Sequence, residues 1–158
     1  MEAIIQYILQ LLTGDESGAG ISSIGYTNDP DRYKDFRIVI KASGFFNDDR
    51  YGKAETLPSL PLLLWEDVPI LYGENKTEMI GDTLVIHADI VAGSFFMITR
   101  YEEMIRPQLR DAHGRFPGKE SLPYKAGFID RPIVEEWGVL LRSAMKEQNL
   151  TVNEPPAE

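Results

Sequence analysis

Two histidines, His87 and His113, and no cysteine leave this chain few routes to nucleophilic or metal chemistry. Without thiols there is no thiolate nucleophile, disulfide framework or Cys-based zinc or iron–sulfur site. The imidazoles are far apart in sequence, neither has a second histidine at helical spacing, and neither is flanked by a pattern that would orient a base. His87 alternates with Val85 near the end of an expected strand and reads as a satisfied core or edge histidine. Residues 18–23 resemble the start of a dinucleotide fingerprint, but Ser23 stands where the third glycine belongs and no strand precedes it, so a loop is expected there. Residues 114–119 have three positions between glycines where a phosphate loop needs four, and Pro117 removes an amide that would face phosphate. Asn47-Asp48-Asp49 lacks the glycine and the closing glutamate of a calcium loop. No cofactor and no metal is expected.

One constellation remains. From Arg100 to Arg131 there are seven basic and five acidic residues, a net of +2, whereas the rest of the chain sets nine basic against twenty acidic residues, a net of −11. Five of the nine arginines fall in this stretch, and a guanidinium suits forked contacts with carboxylates or phosphates. The candidate binding or docking residues are Arg100, Glu102, Glu103, Arg110, Asp111, His113 and Arg115. The plain alternative is an ion-pair network tying a long loop to a helix end, because Glu102 and Arg106 stand i,i+4 and Arg100 and Glu103 stand i,i+3. Adjacent Glu102 and Glu103 make a poor acid–base dyad, since neighbouring helical side chains diverge by about 100°.

The elements that must carry these residues are legible in outline. Ile4, Ile5, Ile8, Leu11 and Leu12 recur at helical spacing and Gly14 stops the helix. Residues 21–26 and 36–40 read as strands around an Asn28-Asp29-Pro30-Asp31 break, and residues 43–61 are irregular, with Pro58 and Pro61 incompatible with a central strand. A meander follows: residues 69–72, a turn at 73–76, residues 77–80, a Gly81-Asp82 turn and residues 83–87. Asp89 is the expected N-cap of a helix over residues 90–106, ended by Pro107. After an irregular stretch over residues 108–130, Pro132 opens a last helix with Ile133, Trp137, Leu140, Leu141 and Ala144 on one face. The fold class expected is α+β: a small, mostly antiparallel or mixed sheet packed with N-terminal, central and C-terminal helices. Residues 1–150 form one globular domain and residues 151–158 a linker-like tail.

Composition sets the outer bounds. The 158 residues are 43% hydrophobic and 26% charged, an ordinary globular balance. A chain of this size buries about 70% of its extended surface without a staple. The net charge of −9 argues against nucleic-acid or anionic-membrane binding. No run approaches the ~18 apolar residues of a membrane span, and the acidic, glutamine-broken N-terminus does not read as a signal peptide, so a cytoplasmic location is expected.

Ser43-Gly44-Phe45-Phe46, Leu57-Pro58-Ser59-Leu60-Pro61, Ser94-Phe95-Phe96 before Arg100-Tyr101-Glu102-Glu103, Arg110-Asp111 with His113-Gly114-Arg115-Phe116, and Arg131-Pro132-Ile133-Val134 resemble, in order, an uncharacterised bacterial domain. In that family the domain lies N-terminal to a polysaccharide-deacetylase-like catalytic domain. The resemblance implies a following catalytic domain in the same chain and carbohydrate as partners. It carries over no deacetylase site: Phe46-Asn47-Asp48-Asp49-Arg50 only superficially imitates the metal-binding Thr-Phe-Asp-Asp-Gly segment, and the His-x-x-x-His ligand pair is missing. The expected function is a non-catalytic accessory domain that docks on the catalytic domain or presents carbohydrate to it. Two rivals are a stand-alone hydrolase or transferase using His113, Asp111 and Glu103, and a protein-interaction module using an exposed Phe45-Phe46 and residues 57–64.

Overall fold

A computed structural model describes residues 2–15, 21–110, 112 and 114–150 of the chain. It is an α+β domain. Helix α1 (Glu2–Thr13) leads into strand β1 (Ile24–Tyr26) and, after a six-residue 3-10 helix, Pro30–Asp35, into β2 (Ile38–Ile40). A hairpin of β3 (Leu63–Trp65) and β4 (Val68–Ile70) follows, then β5 (Gly73–Ile80), β6 (Thr83–Ala88), α2 (Ile90–Thr99), α3 (Tyr101–Ile105), α4 (Leu122–Lys125) and α5 (Ile133–Glu147).

The main sheet is mixed, in the order β1-β2-β6-β5. β1, β2 and β6 run parallel, with Ile24 opposite Ile38 and Ile38 opposite Leu84, and only β5 runs antiparallel to β6. Parallel pairing demands a crossover, and the 3-10 helix between β1 and β2 supplies a short one. Strand alternation then sorts the side chains. Ile38, Ile40 and Ile86 join the core with residues of α1, α2 and α5, whereas Val39 and Val85 point the other way, onto Tyr33 and Phe36 from the 3-10 helix. Thr83 fastens that second layer by donating its hydroxyl to the carbonyls of Tyr33 (2.9 Å) and Phe36 (2.7 Å). At the far end Gln148 donates its amide to the carbonyls of Arg37 (2.8 Å) and Asp82 (2.9 Å), tying the end of α5 to the sheet.

The helices follow their sequence signals. α1 ends at Gly14, whose φ of 70° suits a glycine cap. In α5 the buried Trp137 donates its indole N–H to the carbonyl of Pro69 (2.9 Å) and lies against Gly93 of α2. A Cβ on Gly93 would sit 2.8 Å from the Trp137 ring, so these helices pack closely only because position 93 has no side chain.

Three expectations need correction. The helix expected over residues 90–106 breaks at Arg100, which takes a left-handed φ of 56°. The break turns Tyr101 inward, where its hydroxyl accepts from Gly52 N–H (2.8 Å) and pairs with Thr56 Oγ1 (2.5 Å). The turn expected at residues 73–76 is instead the beginning of β5, because Gly73 pairs with Ala88 and a bulge absorbs the register change before Thr77. Phe45, expected on an exposed surface, is 1% exposed and anchors an aromatic cluster with Tyr72 (4.9 Å between ring centres), Tyr101 (4.9 Å) and Phe95 (5.8 Å). Apart from a 3-10 turn at Ala54–Thr56, segment 43–61 is irregular in backbone, yet it sends Phe45 into the core and packs the partly buried Phe46 and Tyr51 against it. Residues 16–20 and 151–158 of the loop and tail expectations lie outside the described residues.

Candidate functional site

Parallel strands bring their carboxyl ends to one edge of a sheet, and ligands in open α/β sheets bind in the crevice beyond those ends. Here that edge collects Tyr26, the last residue of β1, and Asn28 beyond it, Lys41 and Ser43 after β2, and His87 and Asp89 at the end of β6. Because β5 is antiparallel, its first residues, Gly73 and Glu74, reach the same edge.

Asp89 is the knot of the arrangement. It is 1% exposed, and its Oδ1 accepts from Ala92 N–H (2.9 Å), capping α2 as its sequence position predicts. Its Oδ2 accepts from the Tyr26 hydroxyl (2.7 Å), Ser43 N–H (2.8 Å) and the Ser43 hydroxyl (2.6 Å). One carboxylate thus clamps the ends of β1, β2 and β6 to the start of α2. Burial pushes the Asp89 carboxyl above its ordinary value, opposed by these four hydrogen bonds. Burial, reinforced by the Asp89 charge, holds the Tyr26 hydroxyl protonated far above the usual tyrosine range. Gly73 closes the knot from β5: its φ of 87° is left-handed, and a Cβ there would collide with His87 O and lie 2.8 Å from Asp89 N.

Three adjoining hollows surround this knot. The largest, about 520 Å³, is lined by Asn28, Lys41, Ser43, Glu74 and His87. A second, about 240 Å³, shares Asn28 and adds Tyr26, Phe46 and Asn47. A third, about 260 Å³, lies on the other side of Ser43, between Arg50, Glu55 and Tyr72. His87 is 7% exposed, with Nε2 2.9 Å from Glu78 Oε1. That bond holds the Glu78 carboxyl below its ordinary value. His87 Nδ1 is shielded from solvent and has no hydrogen-bond partner among the described residues.

The arginine-bearing stretch lies elsewhere. Glu102 Oε1 accepts from Leu122 N–H (2.8 Å), pinning the start of α4, and its other oxygen lies 3.6 Å from Arg106. Arg106 also stands 4.0 Å from Glu120, which pairs with Lys125 at 3.0 Å, and its guanidinium lies over the Phe116 ring at 5.7 Å. Among the described residues Glu103 pairs with the exposed Arg100, at 3.6 Å. Arg110 donates to the carbonyls of Leu109 (2.6 Å) and Arg106 (3.3 Å) in its own loop, and Arg115 is exposed. Asp111 and His113 lie outside the described residues. The structure therefore brings Glu102, Arg106, Glu120 and Lys125 together and leaves Arg100 with Glu103 on the surface.

The strand-end residues escaped sequence reasoning because they share no motif. Tyr26 and Ser43 stand 63 and 46 positions from Asp89, and only the N-cap signal marked that aspartate. Among the described residues no group of three or more His, Asp or Glu is placed to hold a metal, and no helix is long and apolar enough to cross a membrane. Residues 3–150 match the model of a family of unknown function (DUF7033), and the chain belongs to that family. No curated protein and no solved structure matches the chain.

Proposed function

We propose that this member of the family is a non-catalytic accessory domain that presents carbohydrate to a following, polysaccharide-deacetylase-like catalytic domain. The observation that carries the reading is the strand-end cleft. Its floor is fixed by the Asp89 knot, so the cleft keeps its shape without a ligand, and a preformed site binds at lower entropic cost. Its walls are those a saccharide needs. Asn28 and Asn47 offer amides to hydroxyl groups, Ser43 offers hydroxyl lone pairs, and the partly buried Phe46 gives an apolar ring for a sugar face. Asp89 itself acts as a structural group here, since its oxygens are occupied by four donors.

Titration of the isotope-labelled domain with chitotriose, followed by amide chemical shifts, tests the proposal. Shifts confined to Asn28, Ser43, Phe46 and Asn47, weakened by Asn28→Ala together with Asn47→Ala, are expected. Uniformly unchanged spectra with chitotriose, cellotriose and xylotriose overturn it.

A further inference from the structure

We infer that the outer face of α1 is an interface, and that its partner is a second copy of this chain packed antiparallel across it. The face includes none of the strand-end residues, so the inference is independent of the saccharide reading.

The observation is a helix apolar on both sides. α1 buries Ile8, Leu9 and Leu12 against its own domain. Its remaining surface should then be polar, as on other helices at the surface of a globular domain. Instead Ile4, Tyr7 and Leu11, spaced i, i+3 and i+7, form one stripe and are 41%, 57% and 47% exposed. Beside them stand Ala3, Gln6 and Gln10. In a chain with 26% charged residues, α1 carries a single charge, Glu2, at its start. Helix α5 shows the contrast: it turns Glu135, Lys146 and Glu147 outward and exposes one large apolar side chain, Val139. Apolar side chains strung along a helix with no charge between them are the pattern of a helix covered on both sides.

Charge selects the occupant. A lipid surface fits poorly, because the helix has no lysine or arginine and the chain carries a net −9. A second copy fits when two α1 helices lie antiparallel with Tyr7 on the two-fold axis. Leu11 of each copy then meets Ala3 and Ile4 of the other. Glu2 of each copy reaches the carboxyl end of the other helix, because Glu2 and Leu12 stand equally far on either side of Tyr7. That end holds a cation: Arg142 of α5 donates from Nη1 to the carbonyl of Leu12 (2.7 Å). Neither Arg142 nor Glu2 has an ion-pair partner among the described residues. The two-fold axis brings acid and guanidinium together twice per dimer, whereas parallel helices would set Glu2 beside Glu2. Two helices of this length bury an area at the small end of specific interfaces, so the dimer is weak and reversible.

The test is sedimentation velocity of the intact chain from about 5 to about 500 µM, in about 150 mM salt to screen the net charge of each copy. A reversible monomer–dimer equilibrium is expected, with a Kd of about 10–100 µM. Tyr7→Glu, which sets two carboxylates face to face on the axis, should abolish the dimer and leave the melting curve unchanged, since Tyr7 is exposed. Glu2→Arg should weaken the dimer by about tenfold, because two exposed attractions become repulsions. A monomer at every concentration overturns the inference, and so does a dimer that Tyr7→Glu leaves intact. A dimer abolished by Tyr7→Glu but unaffected by Glu2→Arg overturns the antiparallel arrangement, and the inference with it.

Discussion

Replacing Asp89 by alanine is the sharpest test of the strand-end architecture. The change removes the acceptor of the α2 N-cap, worth about 1 kcal/mol. It also leaves the Ser43 N–H without an acceptor, at about 1–3 kcal/mol. The Tyr26 and Ser43 hydroxyls each lose a bond of about 1 kcal/mol, although both can rotate toward other acceptors. Against these losses, alanine relieves the cost of holding a carboxylate away from water. We expect a net destabilisation of about 3–4 kcal/mol, within the range for broken buried networks. For a chain of this length that lowers Tm by roughly 6–16 °C. Calorimetry and urea unfolding followed by the fluorescence of Trp65 and Trp137 measure it. Asp89→Asn keeps an acceptor for Ala92 and strands only the Ser43 amide, so it should lose about half as much. A loss below about 1 kcal/mol for alanine would falsify the reasoning, because it would mean that the four hydrogen bonds together add nothing to their own desolvation cost.

The other predictions follow from single observations. Since burial raises the Asp89 carboxyl, its protonation favours the folded state; that contribution is complete below the ordinary value of 3.8 and is lost as pH rises through the raised one. The urea midpoint of the wild type relative to Asp89→Asn should therefore fall between pH 3 and the neutral range, and a flat difference would contradict the shift. Glu78 has the opposite sign: its depressed value makes its small contribution present above 4.5 and lost as pH falls below it, and Glu78→Gln should remove that acid dependence. Gly73→Ala should cost more than about 2 kcal/mol in urea unfolding, from left-handed strain together with the clash at His87 O. Glu102→Ala frees the Leu122 amide and one partner of Arg106, so limited proteolysis should cut residues 108–120 faster while the melting curve moves by only about 1–2 kcal/mol.

Much of the chain was legible because the signals are local. The period of Ile4, Ile8 and Leu12, the stop at Gly14, the N-cap at Asp89 and the opening of α5 after Pro132 all act within a few residues, and the structure shows those elements. The i,i+4 and i,i+3 pairs of Glu102 with Arg106 and Arg100 with Glu103 were readable for the same reason. The break at Arg100 was not, because no glycine or proline marks it; it exists so that Tyr101 can reach Gly52 and Thr56, partners far away in the chain.

Composition and spacing by themselves determined that the chain forms an α+β domain with an acidic body, no thiol chemistry and one arginine-bearing stretch. Tertiary structure alone decided that β1, β2 and β6 run parallel, and hence that Tyr26, Lys41, Ser43, His87 and Asp89 meet at one edge. Strand direction is set by crossovers and by burial on both sheet faces, which are long-range choices with no short sequence signature. The same holds for Phe45. Its neighbours gave it a loop, and only the rings of Tyr72, Phe95 and Tyr101, brought in from three other segments, made that loop part of the core.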